Sequence, residues 1–262
     1  MRYKAILAYD GHRYGGFQKQ TNATGIQEVI EKALEKILHQ PTSITASGRT
    51  DAGVHALGQV FHFDGPDNIS PLGYYNALNT LLPKDIRIQS VEAVDEDFHA
   101  RFSARFKRYD YVITKERDNP FLYNYSHFVW RDLDVERMRQ GAAVFEGEHD
   151  FTSFSNAQID ERKPRTKTIY RICIQEEPKG LRLIFVGTGF LRYQVRMMSA
   201  ALIALGEGRI TVDELKVMLE AKDKHASRFN APAKALYLVQ VGYTQNELDT
   251  LLASLSSDPD GI

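Results

Sequence analysis

Apolar residues recur at helical spacing in several parts of the chain. In the clearest case they fall at i, i+3, i+4 and i+7 through one segment, which is the spacing of a helix with one face on a core. The segment that follows Thr211 also has Glu214 at the spacing of a capping box, which indicates a helix start there. The four segments that predict helices are 26–38, 135–145, 195–205 and 212–219.

Short runs rich in β-branched and aromatic residues lie between these helices and predict strands. There are eight of them: 3–9, 42–46, 59–63, 86–91, 106–114, 168–176, 181–187 and 235–243.

Strands and helices alternate in both halves of the chain, which predicts two α+β halves that share or abut an antiparallel-rich sheet. We place the two α+β halves at 1–104 and 105–245, followed by a C-terminal tail at 246–262 that begins with a helical turn and then frays. No segment rich in Pro, Gly or Ser separates the halves, so we expect them to pack together with a cleft between them.

Composition narrows the function classes. Of the 262 residues, 43% are apolar and 26% are charged, which is typical of a globular protein and excludes disorder and collagen-like structure. No apolar run approaches the ~20 residues that span a bilayer, and no signal peptide is evident, so we expect a cytoplasmic protein. Cys173 is the single cysteine, the eight histidines form no known ligand motif, and the glycine-rich loop 9–20 fits neither nucleotide-binding fingerprint. We therefore expect neither a metal nor a cofactor.

The formal net charge of −1 conceals two basic segments. Residues 101–117 hold six basic residues against two acidic ones, and residues 161–171 hold five against one. Such segregated charge is compatible with a nucleic-acid partner even in a nearly neutral chain.

The densest polar cluster outside the basic segments is the run Gly-Arg-Thr-Asp-Ala-Gly-Val-His at 48–55. Glycines flank Arg49 and Asp51, so this loop can bring both side chains close to a partner. The alternative is a connecting loop in which Asp51 caps backbone amides.

Two further segments could contact RNA. In 106–114, Lys107 and Tyr109 share one strand face, and basic residues beside aromatic rings suit phosphates and unstacked bases. Near 187–196, Arg192 and Arg196 lie at i, i+4 at a helix start, where cations oppose the helix dipole unless an anion is bound. The alternatives are a half-buried strand and solvated arginines.

Several motifs, in this order, resemble the TruA family of tRNA pseudouridine synthases. They span roughly residues 3 to 243 and comprise Tyr9-Asp10-Gly11, 14–20, 48–55, 97–104, Arg108-Tyr109-Asp110-Tyr111, 150–154, Val195-Arg196 and 236–239.

The resemblance implies the pseudouridine synthase fold, in which a mixed, mainly antiparallel central sheet is flanked by helices and two pseudo-symmetric α+β halves have the active cleft between them. It implies the isomerisation of uridine to pseudouridine at positions 38, 39 and 40 of the tRNA anticodon stem-loop. It also implies a homodimer that uses no metal or cofactor. Asp51 would be the catalytic nucleophile or base, Tyr109 would stack on the target uracil, and Arg196 would pair with Asp51. The substrate-binding residues would be Tyr14, Gln18, Arg49, Arg101, Arg105, Lys107, Arg108 and Arg192.

Two other functions remain open from the residues alone. A non-catalytic RNA-binding module could use the same basic and aromatic strand. A metal-free hydrolase could use Asp51 with a second acid, although no carboxylate forms a recognisable pair with it.

Overall fold

The computed structural model describes residues 1–155 and 164–257. The α-helices of these residues are α1 (Ile26–Leu38), α2 (Pro71–Leu81), α3 (Val135–Phe145), α4 (Gln194–Gly206), α5 (Val212–Glu220) and α6 (Gln245–Ser257). The strands are β1 (Arg2–Tyr9), β2 (Thr45–Ala46), β3 (His55–Asp64), β4 (Ile86–Val94), β5 (Phe106–Thr114), β6 (His127–Phe128), β7 (Gly147–Asp150), β8 (Thr166–Glu177), β9 (Gly180–Gly187) and β10 (Leu236–Gly242).

The chain forms two compact units, and the first comprises Met1–Arg105 with Tyr237–Thr244. Its strands are ordered β4-β1-β3-β10, with β1 antiparallel to both β3 and β4, and β10 parallel to β3. The apolar face of α1 is buried, as its spacing requires. Helix α2 is anchored by Tyr74, whose ring centroid lies 4.7 Å from that of Tyr3. This sheet carries the Asp51 loop, because β3 begins at His55.

The second unit comprises Phe106–Leu236 and the chain from Gln245 onward. Its antiparallel strands are ordered β5-β9-β8-β7, and β6 pairs parallel with β5. Helix α3 packs closely on α4, since a Cβ atom at Gly141 would lie only 2.2 Å from the side chain of Leu205. Most residues of α4 are buried, so the first turn of this helix, which carries Arg196, is fixed by the core.

Helix α6 covers an apolar cluster of the second unit. Leu248, Leu251 and Leu255, at helical spacing, are buried against side chains from β5, β8 and β9. Residues 245–257 are thus an integral helix of that unit, whereas the sequence predicted only a helical turn followed by a frayed tail from 246. Residues 258–262 of that tail lie outside the described residues.

The α+β class and the mainly antiparallel sheet flanked by helices are confirmed. The helices predicted at 26–38 and 135–145 and the strand predicted at 106–114 have the observed bounds. The structure adds α2, β6 and β7, and it extends the strand predicted at 59–63 back to His55. Division into units also differs from the predicted boundaries, because β10 residues from Tyr237 onward belong to the first unit.

None of the described helices is long and apolar enough to cross a membrane.

Candidate active site

Asp51 lies on a tight turn directly before β3. The turn is closed by a hydrogen bond from the Val54 N–H to the Asp51 carbonyl oxygen at 3.1 Å, and Gly53 adopts a φ of 77° within it. Glycine adopts this left-handed conformation at the lowest cost, which explains why it occurs here. Asp51 itself is half-buried and Arg49 is exposed. The turn therefore holds the carboxylate at the surface of the first unit on a fixed backbone.

Buried polar groups hold the turn from behind. The Tyr9 hydroxyl and Thr50 Oγ1 are 2.7 Å apart, and both residues are buried. Gln59, which is fully buried, donates from Nε2 to the Gly48 carbonyl oxygen at 3.1 Å and accepts a hydrogen bond from the Ser47 hydroxyl at 2.7 Å. Burial raises the pKa of Tyr9 to about 12, because the phenolate would be poorly solvated there. Residues on both sides of Asp51 are thus fixed by satisfied hydrogen bonds.

A second loop, residues 10–20, packs against this turn. Gly16 has a φ of 105°, and a Cβ atom there would lie 2.7 Å from the Thr50 carbonyl oxygen. That same oxygen accepts a hydrogen bond from the Phe17 N–H at 3.1 Å. Tyr14 donates its hydroxyl hydrogen to Asp85 at 2.9 Å, whereas Gln18 is exposed. Of these two predicted substrate-binding residues, Tyr14 therefore has a structural partner within its own unit.

In the second unit, the first turn of α4 holds Arg196. Its Nε donates to the Ala231 carbonyl oxygen at 2.8 Å, and its backbone carbonyl accepts from the Ala231 N–H at 3.2 Å. Its guanidinium carbon lies 4.7 Å from the centroid of the Tyr193 ring. Nearby, burial raises the pKa of the Tyr111 phenol, and the positive charge of Arg196 acts in the opposite direction. The guanidinium is therefore held by a carbonyl, a ring and the backbone of a buried helix.

Tyr109 lies in the middle of β5 with 8% of its surface exposed. Phe190 contacts it edge to face, with ring centroids 5.3 Å apart and planes at 84°. This arrangement is a favoured one for aromatic pairs and fixes the orientation of the Tyr109 ring.

The neighbouring Arg108 is part of an internal ion pair. Its Nε and Nη2 donate to the two carboxylate oxygens of Asp110 at 2.8 and 2.9 Å, and Asp110 is only 2% exposed. Arg182 lies 3.5 Å from the same carboxylate. A buried carboxylate requires such partners, so Arg108 has a structural role besides the predicted RNA contact, which stays a prediction.

The other predicted contacts are divided between the units. Arg101 and Arg105 are exposed in the first unit, and the Arg101 guanidinium lies 5.5 Å from the centroid of the exposed Phe102 ring. Lys107 is half-buried and Arg192 is exposed in the second unit. In the basic segment 161–171, residues 161–163 lie outside the described residues.

The structure thus brings Asp51 together with a buried polar scaffold in one unit, and Arg196 together with Tyr111 and Tyr193 in the other. The convergence of Asp51, Tyr109 and Arg196 in one cleft stays a prediction. The sequence alone gave no role to Thr50, which lies inside the 48–55 motif, or to Gln59, which lies outside every motif. It also gave no role to Tyr193. For Gln59 a signal existed, since a polar residue flanked by apolar ones within a buried strand needs partners.

Among residues 1–155 and 164–257, no group of three or more His, Cys, Asp or Glu side chains is placed to hold a metal ion.

These features, a carboxylate on a rigid turn and a basic, aromatic-rich α+β framework, agree with the comparison to known families. The sequence model of the family described as tRNA pseudouridine synthase matches residues 5–103 and 142–244. The chain belongs to this family and is an isomerase that acts on tRNA.

The similar proteins also share a particular name. The tRNA pseudouridine synthase A of Limosilactobacillus fermentum is 45% identical over 250 residues, covering 92% of this chain and 96% of its own length. The protein of the same name from Bacillus subtilis is 44% identical over 248 residues, covering 93% and 99%. The resemblance to the TruA family is thereby confirmed.

Proposed function

We propose that the enzyme converts uridine to pseudouridine at positions 38, 39 and 40 of the tRNA anticodon stem-loop, with Asp51 as its nucleophile or base. The observation that carries this proposal is the half-buried Asp51 carboxylate on a turn whose neighbouring residues are fixed by buried hydrogen bonds. A catalytic group gains rate from being held in place before the substrate arrives, and this turn has that property. Membership of the family supplies the substrate class.

The reaction explains why a carboxylate is needed. The bond between N1 of uracil and C1′ of the ribose breaks, the uracil rotates, C5 bonds to C1′, and the C5 hydrogen leaves as a proton while N1 gains one. An ionised Asp51 either forms a transient bond to the sugar or ring, or removes a sugar proton so that a glycal forms. Both routes require the target nucleotide to leave its stack.

Tyr109 and Arg196 would complete the site. In this proposal Tyr109 lies against the flipped uracil, with its ring orientation set by Phe190. Arg196 pairs with Asp51 and keeps the carboxylate ionised when water is excluded. The fixed position of Arg196 on the Ala231 carbonyl supports this role, because a preorganised cation loses less entropy on pairing.

Phosphates of the stem-loop would bind the exposed cations. The exposed members of the predicted set are Arg49, Arg101, Arg105 and Arg192, together with the exposed Gln18. In this proposal Tyr14 acts through its loop, which packs against the Asp51 turn. We further propose that the enzyme works in the cytoplasm as a homodimer without metal or cofactor, as the family resemblance implies; sedimentation velocity measures the dimer directly.

The decisive experiment replaces the proposed reagent by its neutral isostere. The Asp51→Asn variant should bind an anticodon stem-loop with a Kd within about threefold of the wild-type value. It should nevertheless lower the rate of tritium release from 5-tritiated uridine in tRNA by at least ~10³-fold, since a positioned base or nucleophile contributes that much to the rate. Asp67→Asn, at an exposed aspartate of the same unit, is the matched control and should keep wild-type release. Release by Asp51→Asn at more than a tenth of the wild-type rate would overturn the assignment.

Salt dependence separates an RNA enzyme from a small-molecule hydrolase. Binding of the stem-loop should weaken as salt rises, with the logarithm of the binding constant falling by about 0.7–0.9 per neutralised phosphate for each tenfold increase in salt. A flat series in a filter-binding experiment contradicts the RNA-binding part of the proposal.

A further inference from the structure

Tyr193 has an unusual backbone conformation for its position. It precedes α4 with φ 68° and ψ −4°, in the left-handed region, and its side chain makes no capping hydrogen bond. Residues that precede helices are ordinarily extended, and Ser, Thr, Asp or Asn there accepts a hydrogen bond from the first turn. Two other non-glycine residues of the described chain, His39 and Lys222, also have a positive φ, but they follow helices, where this conformation is the common ending. The chemistry of helix starts therefore does not explain this tyrosine.

The surrounding turn imposes the conformation. The Gln194 N–H donates to the Leu191 carbonyl oxygen at 3.1 Å, and the Leu191 N–H donates to Gln194 Oε1 at 2.8 Å. Gln194 is fully buried, so this reciprocal pair is fixed in the core. Tyr193 is carried between the two anchors, and glycine or asparagine would adopt its φ at lower cost.

The tyrosine ring contacts two guanidinium groups, which glycine or asparagine would not do. The guanidinium carbons of Arg192 and Arg196 lie 5.1 and 4.7 Å from the centroid of the Tyr193 ring, within the range of a cation–π attraction. Both cations contact the same ring beside the positive end of the α4 dipole, so mutual repulsion and the dipole disfavour them. An aromatic face attracts a guanidinium without cancelling its charge, whereas a carboxylate would neutralise it.

We propose that Tyr193 is a positioning residue whose ring fixes the Arg196 guanidinium opposite the Ala231 carbonyl, and that the strained backbone is the consequence of placing a ring at this point of the turn. The inference rests on the proposed function, in which Arg196 pairs with the catalytic carboxylate. It assigns to Tyr193 no contact with the reacting atoms.

The test compares three substitutions at one position. Tyr193→Gly removes both the ring and the strain, Tyr193→Phe keeps the ring, and Tyr193→Asn, a second ring-free variant that tolerates the left-handed region, guards against poor folding of the glycine variant. We expect Tyr193→Gly and Tyr193→Asn to lower kcat for tritium release about tenfold or more with KM within about twofold, while Tyr193→Phe stays within about threefold. The thermal midpoint of Tyr193→Gly reports the balance between the backbone strain that is removed and the two cation–π contacts that are lost, and it checks that the variant is folded.

His39→Gly is the matched control, since it relieves the same kind of backbone strain in the first unit at the end of α1. It should raise the thermal midpoint and leave kcat unchanged. A wild-type kcat in Tyr193→Gly, or an equal loss in Tyr193→Phe, would overturn the inference.

A second readout does not depend on activity. The Nε–Hε resonance of Arg196, identified by its loss in Arg196→Lys, is shifted by the ring current of Tyr193 if the two groups are stacked in solution. We expect the same resonance position in wild type and Tyr193→Phe and a different one in Tyr193→Gly. An unmoved resonance in Tyr193→Gly overturns the inference whatever the activity. Wild-type protein that releases no tritium overturns instead the proposed function, and with it the catalytic part of this inference.

Discussion

The hydrogen bond between Tyr9 and Thr50 gives the most direct test of how the Asp51 turn is held. Tyr9→Phe removes only the hydroxyl, and Thr50, with 7% of its surface exposed, then loses a partner 2.7 Å away that water cannot easily replace. A buried polar group left in this state costs about 1–3 kcal/mol. We therefore expect Tyr9→Phe to lower the free energy of unfolding by about 2 kcal/mol.

A double-mutant cycle separates this bond from general repacking. Thr50→Val is nearly isosteric and should lower the free energy of unfolding by a similar amount. The double variant Tyr9→Phe/Thr50→Val has neither hydroxyl, so no hydroxyl is left unpaired. Its free energy of unfolding should therefore fall by clearly less than the sum of the two single effects. The expected coupling is about 1–2 kcal/mol, measured by urea unfolding followed by circular dichroism. Single effects that add to within about 0.5 kcal/mol would refute the reasoning.

The same residue makes an alkaline test possible. The pKa of Tyr9 is raised to about 12 by burial, whereas a tyrosine in the unfolded chain titrates near 10. Between these values the unfolded chain has lost a proton that the folded chain keeps, so stability falls as pH rises, by about 1.4 kcal/mol per pH unit for this group. Tyr9→Phe should show a shallower decline between pH 10 and 12 than wild type, and an equal slope would contradict the assignment.

Two further predictions concern the first unit. Gly16→Ala should lower the free energy of unfolding by about 2 kcal/mol and lower kcat as well, because the added Cβ at φ 105° would lie 2.7 Å from the Thr50 carbonyl oxygen. Urea unfolding measures the first effect and tritium release the second. An unchanged urea midpoint would contradict this prediction. His62 is buried, and its Nδ1 accepts a hydrogen bond from the Ala100 N–H at 3.1 Å. Burial lowers the pKa of His62, so below about pH 6.5 the unfolded chain takes up a proton before the folded chain does. The free energy of unfolding therefore decreases as the pH is lowered. His62→Asn keeps an acceptor without titrating, so its urea midpoint should fall less than that of wild type between pH 7.5 and pH 5, and a parallel fall would count against this cause.

How far the sequence predicted the fold depended on how locally each element is encoded. Helix α1 was predicted with its observed bounds because its apolar stripe is complete within 13 residues. Helix α6 has the same kind of stripe in Leu248, Leu251 and Leu255, yet the sequence predicted only a helical turn and a frayed tail there, because nothing local shows that a buried cluster receives these leucines. The short strands β6 and β7 carry almost no pattern of their own and exist because β5 and β8 offer backbone partners.

For the candidate site, the sequence alone identified the candidate residues but not the hydrogen-bond and ion-pair partners that hold them in place. The Asp51 turn was recognisable because a turn with a positive φ favours glycine, and the glycines are visible in the sequence. The partner of Arg108 was not, although Asp110 is two residues away, because alternate strand residues share a face but nothing local shows that the carboxylate is buried.

The sequence by itself therefore determined the family, the α+β class, most element positions and the identity of the candidate carboxylate, since periodicity and ordered motifs are local properties of the chain. Only the tertiary structure decided which polar atoms meet. The Tyr9 hydroxyl pairs with that of Thr50, which is 41 residues away in the chain. Arg196 donates to the carbonyl oxygen of Ala231, which is 35 residues away. The physical reason is that a buried donor or acceptor must be paired, and its partner is chosen by the packing of distant segments.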